Sequence, residues 1–288
     1  MRNCLTIDLE SISHRYVTER RHLSEPGRRS IETEENRRAL DGGSVASSTR
    51  RMLNALREHG HKATFFVVGE VYDWHSDLIE EISEQGHELA YHSHTHTPIR
   101  TVDSLNKELR KSRKLIETFR PKGFRAPRVW IRPECLSELA RCGFVYDSST
   151  YGPYSASAKI SGILEIPIST YAPCGEKTLA LPRPLPFALL RNLEIPFGSG
   201  YLVSFFSLVS PTLVSYFVRK SNLRGMPAIL SLHPWQLYRK PSDPSWQRGL
   251  SRIGMLPYNL PCDRAFEYLL RSHSFCTISE LIEDTGAL

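Results

Sequence analysis

The chain has six cysteines, Cys4, Cys135, Cys142, Cys174, Cys262 and Cys276, with no CxxC pair and no clustering of the kind a disulfide framework shows. They read as reduced, mostly buried thiols, which suits a cytoplasmic protein. An uninterrupted apolar run is also missing. Ile195 to Val218 carries no charge, but Pro196, Gly198, Gly200, Pro211 and several serines break it, whereas a spanning helix needs about 20 predominantly apolar residues. The segment predicts a buried or interface-lying helix near Tyr201 to Lys220, and any membrane role reduces to peripheral contact. The first residues, Met-Arg-Asn-Cys, run straight into Leu5, Ile7 and Leu9. That leaves no room for a charged and an apolar leader region, so no removable segment is expected ahead of Asp8. Between His22 and Arg51 there is no aromatic residue, although Arg28, Arg29, Arg37, Arg38 and Arg50 fall there. A basic stretch with nothing to stack on bases predicts no nucleic-acid partner. Internal repeats and low-complexity tracts are absent as well.

What remains is an ordinary enzyme-like composition. In 288 residues, 40% are hydrophobic and 24% charged, enough to bury a full core and to exclude a wholly disordered or fibrous chain. One domain spanning 1–288 is expected. The net charge of +6 makes an acidic partner conceivable, with much of the excess in a polar, basic segment from about 11 to 43 that reads as a loop insertion.

Periodicity supplies the architecture. Asn3 to Leu9 reads as a buried strand, Ser44 to His59 as a helix stopped by Gly60, and Lys62 to Val68 as the next strand. The alternation continues with strands at His87 to Tyr91, Gly123 to Ala126, Phe144 to Asp147, Leu164 to Pro167 and Ala228 to His233. Helices are expected at Tyr72 to Gln85, Ser104 to Phe119, Pro133 to Arg141 and Cys262 to Ser272. Strands alternating with helices imply a parallel sheet, and this many units favour closure into a TIM-like α/β barrel. In such folds catalytic groups gather at the carboxyl ends of the strands. Asp8 and Glu10, His92 to His96, Arg125, Asp147 and His233 all fall at such ends.

Three segments carry chemistry. His92-Ser93-His94-Thr95-His96 follows an apolar strand, and in a turn His92 and His96 can converge on one ion, a carboxylate from elsewhere completing a hydrolytic site with an open position. Asp8-Leu9-Glu10 puts two acids at one strand end, on one face, close enough to divide the work of base and ligand. His233 stands between an apolar run and Pro234-Trp235. Taken singly, each segment also fits a bland account: an exposed turn, a polar strand end and a structural histidine.

Together and in order, these segments resemble the polysaccharide deacetylase family, also called the NodB-homology or carbohydrate esterase 4 family. Leu5-Thr6-Ile7-Asp8-Leu9-Glu10 resembles its first motif and Thr64-Phe65-Phe66-Val67-Val68-Gly69 the strand that follows. His92-Ser93-His94-Thr95-His96 resembles the H-[ST]-x-x-H metal motif, Arg125-Ala126-Pro127 the R-x-P motif, and Leu230-Ser231-Leu232-His233-Pro234 the L-x-x-H-P motif. Asp8-Leu9-Glu10, Glu165 to Thr170 and Gly198-Ser199-Gly200-Tyr201 resemble the branch found with exopolysaccharide and O-antigen synthesis.

The resemblance implies a distorted (β/α)7 barrel that removes an N-acetyl group from a carbohydrate. It implies a divalent metal, zinc in the first instance, held by Glu10, His92 and His96. Asp8 would be the base, Arg125 its partner, His233 the acid and Asp147 the residue that orients His233. His94 is expected to shape the site without ligating. Arg128 stands where the family commonly has tyrosine, and Tyr146-Asp147-Ser148-Ser149 lacks the family's tryptophan. The competing expectations are an amidohydrolase of cyclic amides or imides and an inactive carbohydrate-binding relative.

Overall fold

Alternating burial organises the first strand. Leu5, Ile7 and Leu9 share one parity and pack with Phe65, Val67, Leu230 and Leu232, while Cys4 shares the other with Phe66, Tyr146 and Ile229 in a second, inner cluster. A strand buried on both faces belongs in a parallel sheet covered by helices, and successive residues point to opposite faces.

The computed structural model describes residues 1–172, 194–237 and 261–286; Cys174 lies outside them. Its strands are β1 (Arg2–Leu9), β2 (Thr64–Val67), β3 (Glu88–Tyr91), β4 (Gly123–Phe124), β5 (Tyr146–Asp147), β6 (Tyr151–Gly152), β7 (Ala158–Ile160), β8 (Ile163–Glu165), β9 (Ile168–Ser169), β10 (Ile229–Leu232) and β11 (Ser274–Cys276). The main sheet runs β10-β1-β2-β3-β4-β5-β8-β7, with β11 against β1 and a separate β6-β9 pair. All pairings are parallel except that of β7 with β8. The fold is a distorted (β/α)7 barrel.

Its distortion lies between β8 and β10, which do not pair directly. Ser169 and Gly198 fill the seam. The Ile229 N–H donates to Ser169 Oγ at 2.8 Å and the Ser231 N–H to the Gly198 carbonyl at 2.7 Å. A Cβ at position 198 would lie 2.3 Å from the Ile229 carbonyl oxygen, so only glycine allows the approach.

Residues 11–43 differ from the expected loop. They fold into α1 (Ile12–Thr18), α2 (Glu25–Arg29) and α3 (Glu34–Asp41), followed by α4 (Ser44–Glu58). Ser11 caps α1 and Thr33 caps α3 through side-chain acceptors. Tyr16, Leu23 and Ile31 form a small buried cluster of their own. Short helices with few apolar residues leave little periodicity to read, which is why the segment looks like a loop in sequence.

The helix expected over Tyr201 to Lys220 is instead two, Gly200–Val209 and Leu213–Leu223, bent by 119°. Pro211 sits in the break, where its missing N–H and its ring end the first helix. No single helix among the described residues is long and apolar enough to cross a membrane. The five cysteines within the described residues are all free thiols, and four of them are buried.

Candidate active site

A cleft of about 620 Å³ opens at the carboxyl ends of the strands, with Asp8, Glu10, His92, His96, Ser231 and His233 among its lining residues. The turn that carries the histidines is pinned from below. Glu108 accepts from the His94 N–H at 3.0 Å, the Thr95 N–H at 2.7 Å and the Thr95 hydroxyl at 2.9 Å. Ser93 Oγ accepts from the His96 N–H at 3.1 Å, and Ser93 and His96 both take left-handed backbone conformations. That turn brings the two rings to a centroid distance of 4.9 Å.

The protons on these rings follow from their partners. His92 Nδ1 lies 2.7 Å from the Arg125 carbonyl, and His96 Nδ1 lies 3.2 Å from the His14 carbonyl. A carbonyl only accepts, so each Nδ1 carries the hydrogen and each Nε2 keeps a lone pair for the cleft. Potential ligand atoms of Glu10, His92 and His96 all lie within 4.8 Å of one another. Glu10 Oε2 is 2.8 Å from His96 Nε2, yet it is buried without a well-aligned hydrogen bond. Two imidazole lone pairs and an orphaned carboxylate oxygen at one point are a donor set that fits a divalent metal. Burial pushes His92 down to about 4, so its ring is neutral at physiological pH. Burial works against the charge on Glu10, but His96 outweighs it and holds the carboxyl well below its usual range.

Asp8 is gripped on both oxygens. Arg125 Nη1 donates to Oδ1 at 2.5 Å and Ser231 Oγ to Oδ2 at 3.1 Å. Arg125 is fully buried and spends its other donors on Thr6 Oγ1, the Ser148 carbonyl and Ser148 Oγ, with its guanidinium 4.0 Å from the centre of the Phe66 ring. Burial alone would raise Asp8; Arg125 and the nearby His92 and His233 overcome it and lower the carboxyl. His233 Nε2 stands 3.7 Å from Asp8 Oδ2 and 3.5 Å from Glu10 Oε1.

The residue that orients His233 is Gln236, not Asp147. His233 Nδ1 meets Gln236 Oε1 at 2.6 Å, and the same oxygen accepts the His233 backbone N–H at 2.9 Å. Gln236 Nε2 donates to the Gly200 carbonyl at 2.7 Å and sits 2.6 Å from Ser204 Oγ, which fixes the amide orientation and so gives His233 its hydrogen on Nδ1. Asp147 is fully buried elsewhere: it accepts the Ser149 hydroxyl at 2.8 Å and the Ser149 N–H at 3.0 Å. Ser149 Oγ in turn accepts the Ala126 N–H, so Asp147 steadies the Arg125 loop. Burial and the neighbouring Asp147 push Glu165 well above the usual carboxyl range.

His94 hydrogen-bonds Ser112 rather than joining the ligand set. Trp235 is a further residue of the site that the sequence motifs do not name. Its ring stacks on His233 at 4.6 Å, and its Nε1 donates to Glu10 Oε1 at 3.3 Å. Gln236 stands three residues beyond His233, a spacing that lets its side chain fold back on the histidine, but an amide gives no cue of its own in the sequence.

Residues 39–146 match the family described as polysaccharide deacetylase. The match covers 108 of the chain's 288 residues. The matched stretch contains His92, His96 and Arg125, while Asp8, Glu10 and His233 come from outside it and reach the cleft through β1 and β10. Among relatives, the chitooligosaccharide deacetylase of Rhizobium leguminosarum bv. trifolii is 33% identical over 79 residues, 27% of this chain and 37% of that protein. The peptidoglycan-N-acetylglucosamine deacetylase of Bacillus cereus is 27% identical over 93 residues, 31% of this chain and 34% of that protein. The chain thus spans about a third of the length of these relatives. A crystal structure from Mycobacterium smegmatis assigned to the polysaccharide deacetylases shares the fold, with TM-score 0.61 and 19% identity, covering 99% of this chain and 91% of that one.

Proposed function

We propose that this chain is a metal-dependent hydrolase that removes an N-acetyl group from a carbohydrate. The observation that carries the reading is the convergence of Glu10, His92 and His96 beside an ionised Asp8. Those three residues would hold the ion, zinc in the first instance. When bound, it supplies Lewis acidity at the acyl oxygen and brings the acidity of water toward neutral pH.

The protein's own groups do the proton work. Amide hydrolysis needs a base for water and an acid for the departing nitrogen, each contributing about 10²–10⁴-fold. Asp8, kept charged and aimed by Arg125 and Ser231, is the base. His233 is the acid: Gln236 fixes its Nδ1–H, which turns Nε2 toward the cleft beside Asp8 and Glu10. The Trp235 ring behind it restricts its rotation and keeps water from that face.

The kinship with deacetylases supports a carbohydrate substrate, and the glycine motif at Gly198 to Tyr201 supports a surface glycan made with exopolysaccharide or O-antigen. The free thiols support a cytoplasmic setting. Acetate release from an N-acetylated oligosaccharide by zinc-loaded protein, absent after chelation and restored by zinc, is the expected result. Metal-loaded protein that releases no acetate from any acetamido sugar overturns the reading.

A further inference from the structure

The cleft carries more positive charge than the reaction uses. Besides the residues at its floor it is lined by Arg15, Arg21, Arg100, Arg128 and Arg132, with Glu19 as the one further acid. The acids at the floor have partners of their own there, Asp8 on Arg125 and Glu10 beside His96. Glu19 lies 3.5 Å from Arg15. Arg100, Arg128 and Arg132 are exposed and have no carboxylate partner among the described residues. Arg100 follows the histidine turn, and Arg128 and Arg132 follow β4, so the loops after two adjacent strands supply the excess.

The backbone that displays Arg128 is strained. Arg128 and Val129 adopt φ values of 65° and 53° in succession, and valine is β-branched, the type least suited to left-handed backbone. Such conformations cost about 1–3 kcal/mol each and persist where the surroundings impose them, typically at ligand-binding sites. Val129 packs on Tyr151 and Ile168, which holds the turn. Trp130 then lines the cleft between the two arginines in sequence, offering an aromatic face beside them.

We propose that the cleft recognises an acetamido sugar bearing a phosphoryl group, with Arg100, Arg128 and Arg132 on the phosphoryl oxygens and Trp130 against the sugar. This rests on the deacetylase reading for the acetamido group, but not for the anion. A carboxylate has two oxygens and is satisfied by one bidentate guanidinium, whereas a phosphoryl group offers three oxygens and up to two charges. Three guanidiniums from the loops after β3 and β4, with no carboxylate partner among the described residues, match the second.

Calorimetry on the zinc-loaded full chain tests the recognition with N-acetylglucosamine, N-acetylglucosamine 1-phosphate and inorganic phosphate as probes. One charge-assisted contact is worth about tenfold or more in affinity, so the phosphorylated sugar should bind at least about tenfold tighter than the neutral one. Inorganic phosphate should compete with it. The preference should shrink to within about twofold in an R100Q/R132Q variant, which leaves the strained turn alone, and R128Q should weaken it separately. Equal affinity for the two sugars, or a preference that survives in both variants, overturns the proposal. Acetate release is followed in parallel with the sugar 1-phosphate, a nucleoside-diphosphate acetamido sugar and a polyprenyl-diphosphate acetamido sugar in detergent. The highest kcat/KM identifies the source of the phosphoryl group. A retained binding preference with no acetate from any of them sinks the deacetylase reading and leaves the recognition standing.

Discussion

Arg37 and Glu70, 33 residues apart, form a buried ion pair directly behind the His92–His96 turn. Arg37 Nε donates to Glu70 Oε2 at 2.8 Å, and the same carboxylate oxygen lies 3.0 Å from His14 Nε2. His14 receives the Ser11 N–H on Nδ1, so its Nε2 carries the hydrogen that Glu70 accepts. The His14 carbonyl then takes the Nδ1–H of His96. The helices of residues 11–43 are therefore tied, through the side chains of Arg37, Glu70 and His14 and the His14 carbonyl, to His96 in the cleft.

That tie sets a pH dependence. Burial alone would raise Glu70, but His14 and Arg37 outweigh it and hold the carboxyl down to about 2, against an ordinary value of 4.5. A depressed carboxyl contributes its stability above the unfolded value and loses it as pH falls through the folded one. Wild-type protein should lose stability between about pH 4.5 and 2, and Glu70→Gln should be flatter there. At neutral pH the variant should be less stable by about 3 kcal/mol, because Arg37 is left buried and unpaired. Denaturant unfolding from pH 2 to 7 decides it, and superimposable profiles would refute the account.

The ligand assignment predicts a split between metal and activity. His92→Ala and His96→Ala should weaken zinc binding by more than about 100-fold, the scale already set by losing outer-shell partners. Asp8→Asn should keep the metal and lose acetate release. Elemental analysis of the dialysed variants gives the answer; full occupancy in either histidine variant sinks the assignment.

The acid role of His233 predicts a dependence on the leaving group. An amine must be protonated as it departs, an activated phenolate need not be. His233→Ala should thus lose about 10²-fold or more on an N-acetyl sugar and far less on an aryl acetate, with its metal retained. Equal fractional losses on both substrates would count against the acid.

Gly200 leaves room for that histidine. A Cβ there would stand 2.7 Å from Gln236 Oε1 and 3.0 Å from His233 Nδ1. Gly200→Ala should push both side chains, and a displacement of about 1 Å can cost about 10²-fold in rate. Stability should hardly fall, since alanine suits the first turn of a helix better than glycine. A variant with unchanged kcat would show that His233 tolerates the shift; paired melting and kinetic measurements separate the two effects.

The parts legible in the sequence were those with period or fixed order. Leu5, Ile7 and Leu9 announce β1 by alternation, and the ends of β1, β3, β4 and β10 can be ranked by their polar residues. Gln236 was missed because an amide carries no chemistry of its own and its meaning depends on the Gly200 carbonyl, 36 residues away. Resemblance alone gives Asp147 to His233, whereas the tight Asp147-Ser148-Ser149 turn turns its carboxylate back on Ser149. The antiparallel β7 and the β6-β9 pair consist of two or three residues each, too few to show a period. Helices α1 to α3 rest on Tyr16, Leu23 and Ile31 plus caps at Ser11 and Thr33. Those caps were readable, and the sparse apolar residues hid them.

Strand β1 lies next to both the β2 segment and the distant β10, with Ile7 in register with Leu232 and with Phe65. During synthesis Asp8 and Glu10 emerge early, yet Ser231 and His233 follow more than 220 residues later. Pairings of such long range form late, because loop closure must be overcome before the contacts repay it. A nascent chain can therefore gather Glu10, His92 and His96 while His233 and half of the grip on Asp8 are still unmade. The order of emergence leaves the grip on Asp8 incomplete until the barrel has closed on itself.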